Sequence, residues 1–260
     1  MQIEARVQVP LRYEFPLTER MRLLLRLEDT VRRIREHAEQ TAPEAHRYAM
    51  LGLCELVEWT SRIDLNSEIR IEADRQRNLL RNLRNLTGVD TIALEDVLAD
   101  LDGIISRIDG SSQRAGARCR DDGWLSMVRS RLSLPGGLTR FDMPSFHCWS
   151  AMKPADRRGR LLEWLQDFDC ISAGTETLLR LLRGTAETES QQTVSGHFMR
   201  TLTRPPLLVT IDTEPDALLV PDVSANRSAL QVRFSRFTPT GRPRPCEEVV
   251  AFGLAVTYAS

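Results

Sequence analysis

The first residues of the chain alternate strictly between apolar and polar side chains. From residue 3 to residue 15 every odd position is apolar, whereas the even positions are charged, glutamine or proline. A period of two predicts a β-strand with one buried face. Pro10 has no amide hydrogen to donate, so the strand is expected to lie at a sheet edge or to break there. Because a lone exposed strand is unstable, we expect it to pair with strands elsewhere in the chain.

A helical period replaces this alternation from Thr18 to about Arg183. Thr18 is a candidate N-cap of the first helix, and the apolar residues that follow it as far as Ala38 share one face. Glycine and proline residues separate the later segments. These helices are predicted at residues 43–61, 64–86, 91–108, 121–133, 144–151, 155–168 and 171–184. Short links between consecutive helices predict a helical bundle.

The period returns to two after about Glu189. Strands are predicted at residues 207–212, 229–234 and 249–256, with turns between them. The chain therefore predicts an α+β fold, with an N-terminal and central α-helical bundle domain and an antiparallel β-sheet domain formed by the C-terminal strands and the N-terminal strand. The predicted boundaries are 1–16 for the strand that joins the β domain, 17–188 for the α-helical domain and 189–260 for the β-strand domain.

Charge is balanced over the whole chain but not along it. The 35 Lys and Arg residues and 36 Asp and Glu residues leave a net charge of −1, so no overall field attracts nucleic acid or a membrane. Residues 20–35 nevertheless hold six arginines against two acidic residues, and residues 120–160 hold eight basic against four acidic residues. These local excesses predict a basic surface for an acidic partner.

The five cysteines are widely spaced and contain no C-x-x-C pair, which argues against a disulfide framework or a zinc site. No metal or cofactor is therefore predicted. No apolar stretch approaches the ~20 residues that span a bilayer, and the chain does not begin with the basic and apolar regions of a signal peptide. We therefore expect a cytoplasmic protein that does not bind membranes.

The segment at residues 128–149 places basic and bulky apolar side chains around a Pro-Gly-Gly turn. The turn lacks the spacing of a phosphate-binding loop, and His147 has no partners with the spacing of a catalytic triad, so no enzyme is predicted. A histidine among such neighbours is more often a packing residue than a catalyst. We expect the apolar side chains to form a packed platform that holds the bases. They are Leu132, Leu134, Phe141, Met143, Phe146 and Trp149.

Arginines recur at helical spacing in two places. Arg22, Arg26 and Arg33 lie on one stripe of the first helix, where the surplus of arginine favours binding. The third helix has a similar stripe at Arg70, Arg77, Arg81 and Arg84. For this second stripe, a solvated face with ion pairs and a binding surface both stay open.

Four ordered patches resemble the signature of the ZapD family of cell-division proteins. The patches are residues 13–22 with 25–26, residues 74–77, residues 128–149 and residues 227–234. The resemblance implies a non-enzymatic, homodimeric adaptor that binds the short acidic and apolar C-terminal tail of FtsZ, the tubulin-like division protein. One dimer would then link two FtsZ filaments, which would bundle them and promote assembly of the Z-ring at mid-cell.

Carried over by position, the resemblance implies tail-binding roles for basic residues in several parts of the chain. They are Arg22 and Arg26 in the first helix, Arg120, Arg129 and Arg131 before the turn, His147 after it, and Arg227 and Arg233 on the sheet. Gly123 and Ala229 stand where the family can carry arginine. The alternative is an arginine-rich nucleic-acid-binding protein, because arginine stripes also suit phosphates. The net charge of −1 weighs against that alternative.

Overall fold

The computed structural model describes residues 10–85, 88–111 and 113–258. The chain forms two compact units. A strand-rich unit takes Met1–Leu23 and Leu181–Ser260, and a helical unit takes Leu24–Arg180. Helices and antiparallel sheets together confirm the predicted α+β fold.

Short connections join the successive helices. The helices are α1 (Glu19–Ala38), α2 (Pro43–Arg62), α3 (Leu65–Arg81), α4 (Thr91–Asp109), α5 (Ala117–Asp121), α6 (Gly123–Leu132), α7 (Pro144–Ser150), α8 (Pro154–Leu165) and α9 (Asp169–Gly184). The Thr18 hydroxyl accepts a hydrogen bond from the Met21 amide at 3.2 Å, which confirms the predicted cap of α1. The apolar face of α1 is buried as predicted, and Leu27 and Ile34 are at most 1% exposed.

Two helix predictions need correction. The segment 121–133 is two helices rather than one, because the Asp122 carboxylate accepts a hydrogen bond from the Leu125 amide at 2.9 Å and so starts α6 just after α5 ends. The helix predicted at 64–86 ends at Arg81 and continues as a 3-10 segment, Asn82–Asn85. Asp64 caps α3 by accepting a hydrogen bond from the Ser67 amide.

The strands form two antiparallel sheets. They are β1 (Leu11–Pro16), β2 (Glu189–Gln192), β3 (His197–Thr201), β4 (Pro206–Thr213), β5 (Leu219–Ala225), β6 (Ala229–Arg236), β7 (Arg244–Pro245) and β8 (Ala251–Tyr258). One sheet has the order β1-β4-β8-β2, and the other has the order β3-β6-β5 with β7 paired to β6. Tyr13 of β1 lies opposite Ile211 of β4. The pairing confirms that the N-terminal strand joins the C-terminal strands at a sheet edge, although residues 3–9 of the predicted strand lie outside the described residues.

An apolar core in the strand-rich unit takes residues from both sheets. Ile211 and Leu254 come from the first sheet, and Val232 and Phe234 come from the second. Glu14 of β1 also accepts two hydrogen bonds from Arg183, at 2.8 and 2.7 Å. The N-terminal strand is therefore held by backbone pairing, by side-chain burial and by a bidentate ion pair.

Candidate protein-binding site

The Pro-Gly-Gly turn after α6 is fixed by its backbone. The Leu134 amide donates to the Arg131 carbonyl at 3.0 Å, and the Gly137 amide donates to the Leu134 carbonyl at 3.0 Å. A Cβ atom at position 137 would lie 1.8 Å from the Arg131 oxygen, so only glycine fits. The turn therefore sets the direction in which the chain leaves α6 for α7.

The apolar side chains around this turn are packed only in part. Met143, Phe146 and Trp149 are buried, as predicted, whereas Leu134 and Phe141 are 50% and 82% exposed. The prediction of a packed platform is therefore wrong for Leu134 and Phe141. Both residues lie in the turns between α6 and α7, where no helix face turns them towards the core.

Two of the predicted binding arginines instead contact the C-terminal end of α2. Arg120 donates to the Ala115 carbonyl at 2.9 Å and to the Thr60 hydroxyl at 3.2 Å. Arg129 donates to the Glu58 carboxylate at 3.1 Å, and its side chain is 22% exposed. These contacts join α5 and α6 to α2, so both guanidinium groups already have a structural role.

The arginine stripe of α1 divides into paired and unpaired residues. Arg22 forms an ion pair with Glu19, and Arg33 forms one with Asp29 at 2.9 Å. The Arg26 side chain is exposed and has no hydrogen-bond or ion-pair partner within the described ranges. The side chain of Arg131, at the end of α6, is also exposed and without such a partner in the described part of the chain. Arg26 and Arg131 are therefore available to an external ligand.

The arginine stripe that starts on α3 is neutralised by α4. Arg70 pairs with Asp109 at 2.6 Å, and Arg77 pairs with Asp102 at 2.9 Å. Arg84, in the 3-10 segment, donates two hydrogen bonds to Glu95. Of the two interpretations left open by the sequence, the structure supports ion pairing for this stripe.

His147 is exposed on α7 and lines a cleft between α7 and the start of α2, with a volume of 280 Å³. Arg47 and Arg140 line the same cleft. Because Arg47 and Glu58 are separated by eleven positions of α2, this cleft lies about 17 Å along the helix from the contact of Arg129. The structure therefore does not bring His147 together with Arg129. Sequence reasoning did not assign a site to Arg47, which has no motif or charge cluster around it.

In the strand-rich unit, Arg227 and Arg233 are both exposed. Arg227 lies in the turn between β5 and β6, whereas Arg233 lies on β6 between His197 of β3 and Asp222 of β5. Arg233 points outward from the sheet, whereas its neighbour Phe234 is buried. About 13 Å of extended strand separates Ala229, just after the turn, from Arg233. The two arginines therefore mark separate points on the sheet surface.

No group of three or more His, Cys, Asp or Glu residues suited to a metal ion occurs among the described residues. Burial raises the pKa of the thiols of Cys54 and Cys119 to about 12. Within the described ranges, no helix has the length and apolar character needed to cross a bilayer.

Comparison with known proteins places this chain in a family. The family model of ZapD, described as a cell division protein, matches residues 25–233. A ZapD cell division protein of Aromatoleum aromaticum is 35% identical over 256 residues, which cover 98% of this chain and 99% of the relative. Those of Azoarcus sp. BH72 and Nitrosomonas eutropha are each 34% identical over 243 residues, or 93% of this chain and 97% of each relative. The chain therefore belongs to the ZapD family of cell division proteins.

Proposed function

We propose that the protein is a non-enzymatic adaptor that binds the acidic and apolar C-terminal tail of FtsZ. As a homodimer it cross-links FtsZ filaments in the cytoplasm at the division site, and so promotes assembly of the Z-ring. Membership of a cell-division family supports the biological setting. The observation that carries tail binding is the set of exposed arginines that form no ion pair with a described residue, namely Arg26 and Arg131 in the helical unit and Arg227 and Arg233 in the strand-rich unit.

The unpaired arginines are the better ligands for a carboxylate. When an arginine that already has an acidic partner binds a new carboxylate, it must give up or share the first ion pair. Arg22 and Arg129 are in this position, with Glu19 and Glu58 as their partners. Arg26 has no such bond to lose, so more of its interaction with a ligand appears as affinity. We therefore rank Arg26 above Arg22 and Arg129 as a tail-binding residue.

Peptide binding tests this ranking directly. Fluorescence anisotropy with a labelled FtsZ tail peptide should give an affinity that falls on the order of tenfold in Arg26→Ala, as expected for the loss of one charge-assisted hydrogen bond. Arg22→Ala on the same helix should lose less, and wild-type affinity should fall as salt increases. Arg107→Ala is the matched control, because Arg107 is exposed on α4 and outside the predicted site.

Two results would contradict the proposal. If the wild-type protein fails to bind the tail peptide, or if Arg26→Ala and Arg107→Ala bind it equally well, tail recognition through Arg26 is wrong. Binding of duplex DNA with a steep dependence on salt would instead favour the nucleic-acid alternative. The ion pairs that neutralise the α3 stripe weigh against that alternative, because they leave few free charges for phosphates.

Filament bundling needs two tail sites on one particle. Once the first site is bound, the second captures its filament at a high effective concentration. A heterodimer of wild-type and Arg26→Glu subunits retains one intact copy of the Arg26 site, so it should bind the peptide but sediment few FtsZ bundles. Analytical ultracentrifugation would establish that the particle is a dimer. Bundling by this heterodimer as strong as that of the wild type would exclude bridging by paired sites.

A further inference from the structure

We infer that the cleft between α7 and the start of α2 binds an acidic side chain of the FtsZ tail, held by Arg47 and Arg140 beside His147. This inference rests on the proposed function and adds two residues to its site. It also commits to a side-chain carboxylate of the tail as the occupant, with the neighbouring apolar tail residue packed beside the cleft.

Three basic side chains reach this cleft from three parts of the helical unit. Arg47 comes from α2, Arg140 from the turn before α7, and His147 from α7 itself. Arg140 is exposed and has no hydrogen-bond or ion-pair partner among the described residues. Glu44 is the acidic residue that lines the cleft, so two guanidinium groups face one carboxylate. The cleft therefore keeps a positive charge that an added carboxylate would neutralise.

Arg47 is positioned by an aromatic ring rather than by an acid. Its guanidinium carbon lies 6.0 Å from the centroid of the Phe146 ring, and Leu138 lines the cleft beside them. A guanidinium held over a ring keeps its hydrogen-bond donors free for a ligand. Phe141, which follows Arg140 in the chain, is 82% exposed. An apolar residue next to the bound carboxylate could therefore bury surface against it.

A buried cation holds the two walls of the cleft together. Arg157 donates to the Thr41 carbonyl at 2.8 Å, in the turn just before α2, and to Nδ1 of His46 at 2.8 Å, in the first turns of α2. It also donates to the Ser150 carbonyl at 3.0 Å, at the end of α7, and to the Met152 carbonyl just after it. The distance between the walls is thus set before a ligand arrives, which lowers the entropic cost of binding. The volume of 280 Å³ lies just below the roughly 300–1,000 Å³ of small-molecule sites, so it suits a single side chain.

The test is a double-mutant cycle between the cleft and the FtsZ tail peptide. The proteins are the wild type, Arg47→Gln, Arg140→Gln and the control Arg107→Gln, each in the full chain. The peptides are the unmodified tail, a set in which each Asp or Glu is changed singly to its amide, and a tail with an amidated C-terminus. Arg47→Gln and Arg140→Gln should each weaken the unmodified peptide on the order of tenfold, and Arg107→Gln should not. The loss should largely vanish with one particular Asp or Glu amide, which identifies the bound side chain.

The outcomes separate this inference from the function on which it rests. If Arg26→Ala weakens the tail but Arg47→Gln and Arg140→Gln do not, the cleft is not the acid site and the proposed function stands. If the arginine variants couple to amidation of the peptide C-terminus and not to an Asp or Glu amide, the cleft binds the terminal carboxylate, and a side-chain carboxylate is the wrong occupant. If the wild-type protein does not bind the tail at all, both this inference and the proposed function are wrong. Thermal melts of the variants should match the wild type, because Arg140 is exposed and neither arginine forms an ion pair with a residue that the structure describes.

Discussion

Replacement of Arg157 by methionine should destabilise the helical unit strongly. Arg157 is 2% exposed and has no carboxylate partner among the described residues; its guanidinium donates instead to three backbone carbonyls and to His46. Because Nδ1 of His46 accepts from Arg157, the ring is neutral, and Nε2 donates to the Ala38 carbonyl at 3.1 Å. This one side chain therefore links the end of α1, the start of α2 and the end of α7.

The size of the effect follows from the acceptors left behind. Each buried acceptor that loses its donor costs about 1–3 kcal/mol. Methionine fills much of the same volume, and removal of a buried cation recovers part of its desolvation cost. We therefore expect the free energy of unfolding to fall by about 3–4 kcal/mol. For a unit of this size the melting temperature would fall by about 6–16 °C.

Urea titration followed by far-ultraviolet circular dichroism measures this loss. Arg158→Met is the matched control, because Arg158 is the next residue and pairs with Glu39 at 2.7 and 2.9 Å, yet both side chains are about half exposed. Its unfolding curve should lie close to that of the wild type, since exposed ion pairs contribute little. If Arg157→Met unfolds at the same urea concentration as Arg158→Met, the buried network does not hold these helices together.

Three further predictions follow from the geometry. Burial raises the pKa of Cys54 to about 12, so iodoacetamide at pH 8 should alkylate the exposed Cys148 and spare Cys54, as mass spectrometry of the native protein would show. Gly137→Ala should lower the midpoint of chemical unfolding by the equivalent of at least about 2 kcal/mol, because its Cβ atom would overlap a carbonyl oxygen, whereas Gly123→Ala has open space and should not. Burial raises the pKa of Asp122, but hydrogen bonds from a backbone amide and an indole outweigh this effect and keep the pKa below its ordinary value. Asp122 therefore contributes stability above about pH 4 that is lost as the pH falls through its folded pKa, and Asp122→Asn should weaken the acid dependence of unfolding measured by tryptophan fluorescence.

The fold could be predicted where the apolar period is long and unbroken. The apolar stripe of α1 and the alternating run that contains β1 both met this condition, and both formed as predicted within the described residues. The strands that the sequence analysis missed have no long, unbroken apolar period. Strand β2 reads Glu-Ser-Gln-Gln and sits at a sheet edge, and β5 contains Pro221 in its centre. These strands form because they pair with other strands of the sheet, so the local sequence pattern does not predict them.

The candidate site could also be predicted only in part. Whether an arginine is unpaired depends on the residues around it, and some of these are distant in sequence. The pairs Arg22–Glu19 and Arg33–Asp29 have spacings of three and four, so the sequence alone could have set those two arginines aside. Arg129 is different, since its partner Glu58 is 71 positions away and becomes visible only when α6 packs on α2. A local excess of positive charge therefore locates a basic region, but tertiary packing decides which of its guanidinium groups stay open to a ligand. On this argument, affinity for the tail should follow the arginines that the fold leaves unpaired and not the density of arginine along the chain.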